Sequence, residues 1–310
     1  MGETFVLALT TVCITLLYAV PGFVLAKIKR IGSEQIPAMA NVLVCLCAPC
    51  IFIHALQEVP CTKELLLKIG IFASLAVFLQ GLVLFLSWLL LHKKFEDNAF
   101  RIFSIAPGLA NVAFFGLPLL KAVLPDYPEA ITFCGVFAVT MNLFCWTVAS
   151  FFISGDKKYI SPKKALLNPA VIGFLIGFVL FLLKIRIPAS LDSAIDLCGK
   201  MSTPLCMIVL GARLATVRPR DLFLSFKSYL AVFARLVGVP LLALALLSFI
   251  PVESGMKAAF FIMCCCPAAS NVLSFAELFR RGQAEAARQV LLTTLFSAVT
   301  VPMMALLMPR

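Results

Sequence analysis

AFRIFSIAPGLANVAFF at residues 99–115 and AFFIMCCCPAASNVLSF at residues 259–275 decide the fold. Each is strongly apolar, and each carries a Pro followed four positions later by an Asn: Pro107 and Asn111, then Pro267 and Asn271. At the fixed offset of 160, seven of the 17 positions are identical. Apolar segments often share Phe, Ile and Ala; the coincident Pro and Asn carry more weight. Pro removes a backbone donor and clashes with the preceding turn of a helix. A Pro in mid-span therefore serves something other than helix stability.

The surroundings are those of a membrane protein. Of the 310 residues, 62% are hydrophobic and 13% charged, with a mean hydropathy of +1.05. A soluble domain needs no such apolar excess. Runs long enough to cross a bilayer fall at 4–27, 36–57, 65–92, 99–123, 128–154, 164–184, 193–216, 222–250, 256–280 and 284–308. Period-2 alternation is absent, which argues against a β-barrel. The reading is an all-α polytopic membrane protein with ten transmembrane helices, of which spans 4 and 9 are broken and cross. The first run begins MGETF, with Glu3 where a signal peptide has basic residues, and reads as a retained span.

The net charge of +11 would suggest nucleic acid in a soluble chain. Here seventeen of the 26 Lys and Arg residues fall in the loops after spans 1, 3, 5, 7 and 9, eight lie on the opposite side, and Arg235 lies within span 8. The positive-inside rule then places both termini outside the cytoplasm of a plasma (cell inner) membrane. No nucleic-acid partner is expected. The 12 Cys lie mostly within spans and the two His, His54 and His92, have no zinc-type spacing to them, so neither metal nor cofactor is expected. No nucleophile–base pair or phosphate loop suggests an enzyme.

An offset of five spans between the two copies means that the second enters the membrane upside down, the inverted repeat of secondary transporters. CLCAPCIFIHAL in span 2 supports the pairing against KMSTPLCMIVLGARL in span 7, with Pro49 opposite Pro204. The halves are 1–154 and 164–310, joined by a short basic cytoplasmic linker at 155–163. Broken helices are tolerated in a bilayer where protein or a wet cavity covers them. The small residues Gly108 and Ala110, and Ala268, Ala269 and Ser270, let two unwound segments approach. Each half-helix after a break then starts at the midplane with unpaired N–H groups and a positive dipole end, an anion site. Asn111 and Asn271 fall where they can cap that start or aim an amide at a carboxylate. Pro107, Pro267, Gly108, Ala110, Ser270, Val112, Phe115 and Phe275 complete the substrate site. The plainer alternative is that the Pro residues kink two helices and the Asn side chains satisfy the freed backbone.

NVAFFGLPLL (111–120), NPAVIGFLIGFVLFLLKIRIP (168–188), STPLCMIVLGARLA (202–215) and VLLTTLFSAVTVPMMALL (290–307) resemble, in order and spacing, segments of the auxin efflux carrier family, itself distantly similar to bile acid–sodium symporters. The resemblance covers nearly the whole chain. It implies a scaffold of spans 1, 2, 6 and 7, a transport domain of spans 3–5 and 8–10, and carboxylate contacts at Asn111 and Asn271. Two departures stand out: the linker is about ten residues long, as in prokaryotic relatives, and span 3 offers Gln80 where some plant members carry an acid. Both point away from auxin and towards small organic acids such as malate or malonate.

Other polar residues in spans are functional candidates by default. Asn142 and Thr140 are candidates to line the cavity. Glu277 is either a coupling site or an end-of-span residue paired with Arg280 or Arg281. Arg235 either attracts an anion or snorkels to the surface. The spacing Gly173-x3-Gly177 packs helices, within the chain or in a homodimer through the scaffold. The expected function is a carrier of a small organic anion working by alternating access. A Na⁺- or H⁺-coupled carrier and a membrane sensor on the same fold are the alternatives.

Overall fold

Long apolar runs without competing polar partners satisfy their backbone internally, and in a bilayer only a helix does so within one segment. The computed structural model describes residues 2–223 and 225–309. Eight helices are long and apolar enough to cross a membrane: α1 Gly2–Lys27, α2 Ile36–Gln57, α3 Lys63–Lys94, α6 Glu129–Ser154, α7 Lys157–Leu182, α8 Ala189–Thr216, α9 Phe226–Ser248 and α12 Gln283–Ala305. Two further regions hold pairs of shorter helices, α4 Asn98–Ile105 with α5 Val112–Val123, and α10 Ser254–Cys265 with α11 Asn271–Leu278. No strand occurs among the described residues; one isolated antiparallel bridge, Ala110 with Ala268, joins the two interrupted regions.

Proline shapes several helices without ending them. π-turns at Leu43–Cys47, Val112–Gly116 and Ala234–Gly238 each contain the carbonyl four residues before a Pro, at Pro49, Pro118 and Pro240. The missing N–H and the ring clash widen the turn there. A freed carbonyl is then open to a neighbour: that of Phe114, four before Pro118, accepts from Thr203 Oγ1 at 2.9 Å.

Glycine sets the closest helix contacts. A Cβ on Gly22 would lie 2.0 Å from the Ile208 carbonyl oxygen, and one on Gly211 would lie 1.9 Å from that of Ala19. The second half of α1 and α8 therefore pack backbone on backbone. Gly211→Ala must drive them apart, and overpacking of this kind costs about 1–3 kcal/mol or more. The expected result is a clear drop in the detergent melting temperature of the purified chain. Gly173 and Gly177 do the same work between α7 and α2, where added Cβ atoms would lie 2.3 Å from Pro49 Cα and 3.0 Å from Ile53 Cα. This small-residue face is filled within the chain by α2.

Candidate functional site

The two interrupted regions meet where their chains unwind. Asp97 opens α4 by accepting from Ala99 N–H at 2.9 Å. A 3₁₀ turn at Ala106–Gly108 carries Pro107, and Leu109 is extended. In the second copy the chain turns extended three positions earlier: Cys266 is extended (φ −62°, ψ 148°), as the residue before a proline tends to be. The unwound segments run antiparallel. Asn111 N–H donates to Pro267 O at 2.9 Å and Ala269 N–H donates to Leu109 O at 2.8 Å. Ala110 and Ala268, both fully buried, let the backbones come this close.

The groups this pairing leaves over have partners from other helices. Ala268 N–H donates to Thr293 Oγ1 of α12 at 3.0 Å. Arg235, which the π-turn of α9 carries inward, is 1% exposed. Its Nε donates to Cys266 O at 2.8 Å, its Nη1 to Pro107 O at 2.7 Å and its Nη2 to Cys264 O at 2.9 Å. These carbonyls lie at the ends of α4 and α10, where helix dipoles concentrate partial negative charge. Arg235 thus neither snorkels nor stands free to attract a ligand. It neutralises the negative side of the crossing.

The positive side is left facing a cavity. Asn111 precedes α5, and Asn271 is the first residue of α11; neither side chain caps its helix. Asn271 Nδ2 instead lies 3.9 Å from Cys145 Sγ. Asn111, Asn271, Ala110, Val112, Ala269 and Ser270 line a cavity of about 50 Å³, closed on the other side by Val44, Ala48 and Phe52 of α2 and by Asn168 and Ala170 of α7. Asn142 also lines it, with its Oδ1 buried and unpartnered and its Nδ2 donating to Ala138 O at 3.0 Å. A liquid water occupies about 30 Å³, so this space holds a water or two. In this conformation the space is too small for a dicarboxylate-sized molecule.

The remaining expected site residues are elsewhere. Pro107 and Pro267 shape the backbone and do not line the cavity, and Gly108 faces Leu84, whose side chain a Cβ would meet at 2.8 Å. Phe115 is buried in the core, and Phe275 packs edge-on against Trp146 at 4.8 Å. Gln80 donates to Thr140 Oγ1 at 3.0 Å between α3 and α6, which takes both away from the cavity. Glu277 pairs with Arg213 of α8 at 2.7 and 3.4 Å, not with Arg280 or Arg281. Sequence reasoning missed Asn168 as a wall residue. Its Oδ1 caps the apolar part of α7 through Ala170 N–H at 3.0 Å, and the NPA stretch carries that signal.

No curated protein matches the chain. The profile of the family described as membrane transport protein matches residues 7–165 and 157–305, segments that overlap at the basic start of α7. With nearly every residue inside one match or the other, this multi-pass membrane protein belongs to the membrane transport protein family, transporters of the auxin efflux carrier type.

Proposed function

We propose that the chain carries a small organic anion, such as a dicarboxylate, across the plasma membrane by alternating access, with Asn111 and Asn271 as its carboxylate contacts. The observation that carries this reading is the polarity of the crossing. The carbonyl ends of α4 and α10 are neutralised by Arg235, whereas the starts of α5 and α11 open with two Asn amides onto one cavity. Such a site offers donors and favours negative charge. It also weighs against Na⁺ coupling at this place, because the carbonyls a hard cation needs already accept from Arg235. No carboxylate among the described residues lines the cavity, which weighs against a proton-coupled site there. Outward movement of one negative charge gains about 2.3 kcal/mol per 100 mV of inside-negative potential, so uniport suffices for export.

In this reading the ten spans are α1, α2, α3, α4 with α5, α6, α7, α8, α9, α10 with α11, and α12, in halves 1–154 and 164–310 of inverted topology, with both termini outside the cytoplasm. The scaffold is α1, α2, α7 and α8, and the rest forms the transport domain. The close seams of α1 on α8 and α2 on α7 favour that division. The cavity then lies between the two domains, and the Arg213–Glu277 ion pair bridges them on the basic side.

The test is flux of radiolabelled malate, malonate or indole-acetate in proteoliposomes under a potassium-diffusion potential. Flux that follows voltage with neither Na⁺ nor pH gradient is expected. Flux that appears only with a cation gradient would replace uniport by coupled carriage. Binding without flux would make the protein a sensor.

A further inference from the structure

A second concave site opens on the basic side of the molecule, outside the crossing. A pocket of about 240 Å³ lies between the end of α6, its loop into α7 and the end of α11, lined by Trp146, Tyr159, Lys164, Phe279, Arg280 and Arg281 among others. No carboxylate among the described residues lines it. The acids nearest in sequence are engaged elsewhere: Asp156 with Lys158 at 2.9 Å, and Glu277 with Arg213 at 2.7 Å. Arg281 is fixed by donating to the Ser154 carbonyl at 2.9 Å. Lys164 Nζ stands 5.5 Å from the centre of the Trp146 ring. Trp146 Nε1, a donor only, is buried and unpartnered.

Arg280 adds a second oddity. It ends α11 in the left-handed region, φ +52°, where glycine is the usual residue because a Cβ is strained there. Lys29 and Lys184 hold the same conformation (φ +59° and +56°) away from this pocket, so it is the place of the Arg280 side chain in the pocket wall, not its backbone, that counts. The positive-inside rule explains basic residues in this loop region. It does not explain their convergence on a walled pocket that no carboxylate among the described residues lines.

We propose that this pocket is an oxyanion site, in which Lys164, Arg280 and Arg281 hold a carboxylate or phosphate group against the wall formed by the Trp146 ring. Cys145 touches Asn271 and Trp146 packs on Phe275, so one helical turn of α6 joins the pocket to the crossing. Resting on the transport reading above, the site gathers the anionic substrate at the basic face before it reaches the Asn pair. An uncompensated cationic cleft raises local anion concentration in this way.

The chain has two Trp, Trp88 and Trp146. In a Trp88→Phe background Trp146 is the sole reporter. The full chain in phosphatidylcholine nanodiscs is titrated with malonate and, separately, with inorganic phosphate. A saturable change in Trp146 emission is expected, weakening as ionic strength rises. The half-saturation concentration rises about tenfold in Lys164→Gln and in Arg280→Gly, the loss of one charge-assisted contact. Arg280→Gly relieves the left-handed backbone, so weaker binding in that variant is not misfolding. No saturable change with either anion, or a change that both variants retain, overturns the site. A parallel set of nanodiscs contains phosphatidylglycerol. If that lipid alone produces the change and blocks malonate, the oxyanion is a lipid phosphate and the substrate role falls. The Asn111→Ala/Asn271→Ala pair keeps the Trp146 response; a wild type that gives this response but carries no flux rejects transport without rejecting the site.

Discussion

Substitution of Arg235 by Met is expected to destabilise the protein by about 3 kcal/mol or more, since three buried carbonyls lose their donor at about 1–3 kcal/mol each, and to abolish flux. Met keeps the apolar stem of Arg and drops the guanidinium, which isolates that group. That group now satisfies three carbonyls at the broken ends of two helices, Pro107, Cys264 and Cys266. None of them has another use for its lone pair so deep in the protein, and each orphaned acceptor costs about 1–3 kcal/mol. The two negative helix ends would also face each other without compensation. Arg235→Lys should fall between: it keeps the charge but replaces a planar fork with a point donor that cannot reach three carbonyls set around it. Thermal unfolding of the purified full chain in detergent measures this order, wild type above Lys above Met. A Met variant that melts with the wild type would mean that the crossing closes without a cation, and the electrostatic account of the site would go with it.

Much of this geometry was legible in the sequence because it depends on residues with strong backbone preferences. Pro107 and Pro267 announce breaks at matching places, and the breaks are there, with Ala110 against Ala268 at the point of closest approach. Basic loops and apolar run lengths placed the helices to within a few residues. What escaped the reading depends on backbone atoms as partners. Arg235 binds only carbonyls, and a carbonyl leaves no mark in a sequence, so the choice between attracting an anion and snorkelling omitted the role it has. Glu277 was read against its sequence neighbours Arg280 and Arg281. The left-handed turn at Arg280 takes those two into their own pocket, and the true partner, Arg213, is 64 positions away. The glycines of α1 and α8 look ordinary in an apolar run; only the crossing of two backbones shows why Gly22 and Gly211 carry no side chain. Phe115 and Phe275 were named for proximity in sequence to Asn111 and Asn271, but on a helix a residue four further on shares a face only if the turn is regular. The π-turn at Val112–Gly116 removes that regularity in the first copy.

The double substitution Asn111→Ala/Asn271→Ala is expected to leave the melting temperature nearly unchanged and to lower voltage-driven flux about a hundredfold. The reason for the first half is that neither side chain holds the fold. The backbone N–H of Asn111, not its amide, makes the bridge to Pro267. Neither Asn caps its helix, and Asn271 has only a long contact to the Cys145 thiol. The plainer alternative, that these residues exist to satisfy a kinked backbone, requires the opposite: truncation would then unfold the crossing. For the second half, a hydrogen bond to a charged group contributes about 1.5–3 kcal/mol, and each 1.4 kcal/mol is about tenfold; two lost amide donors give the estimate. Asn111→Asp separates position from charge. It is nearly isosteric, yet it sets a carboxylate against an anionic substrate at the positive end of α5, and flux at neutral pH should fall below that of the Ala variant. Asn142→Ala, which removes an unpartnered wall oxygen and an amide donor already spent on Ala138 O, should cost less than either. Wild-type flux in the double Ala variant, with the fold intact, would move the substrate away from the crossing and leave the broken helices as a structural device alone.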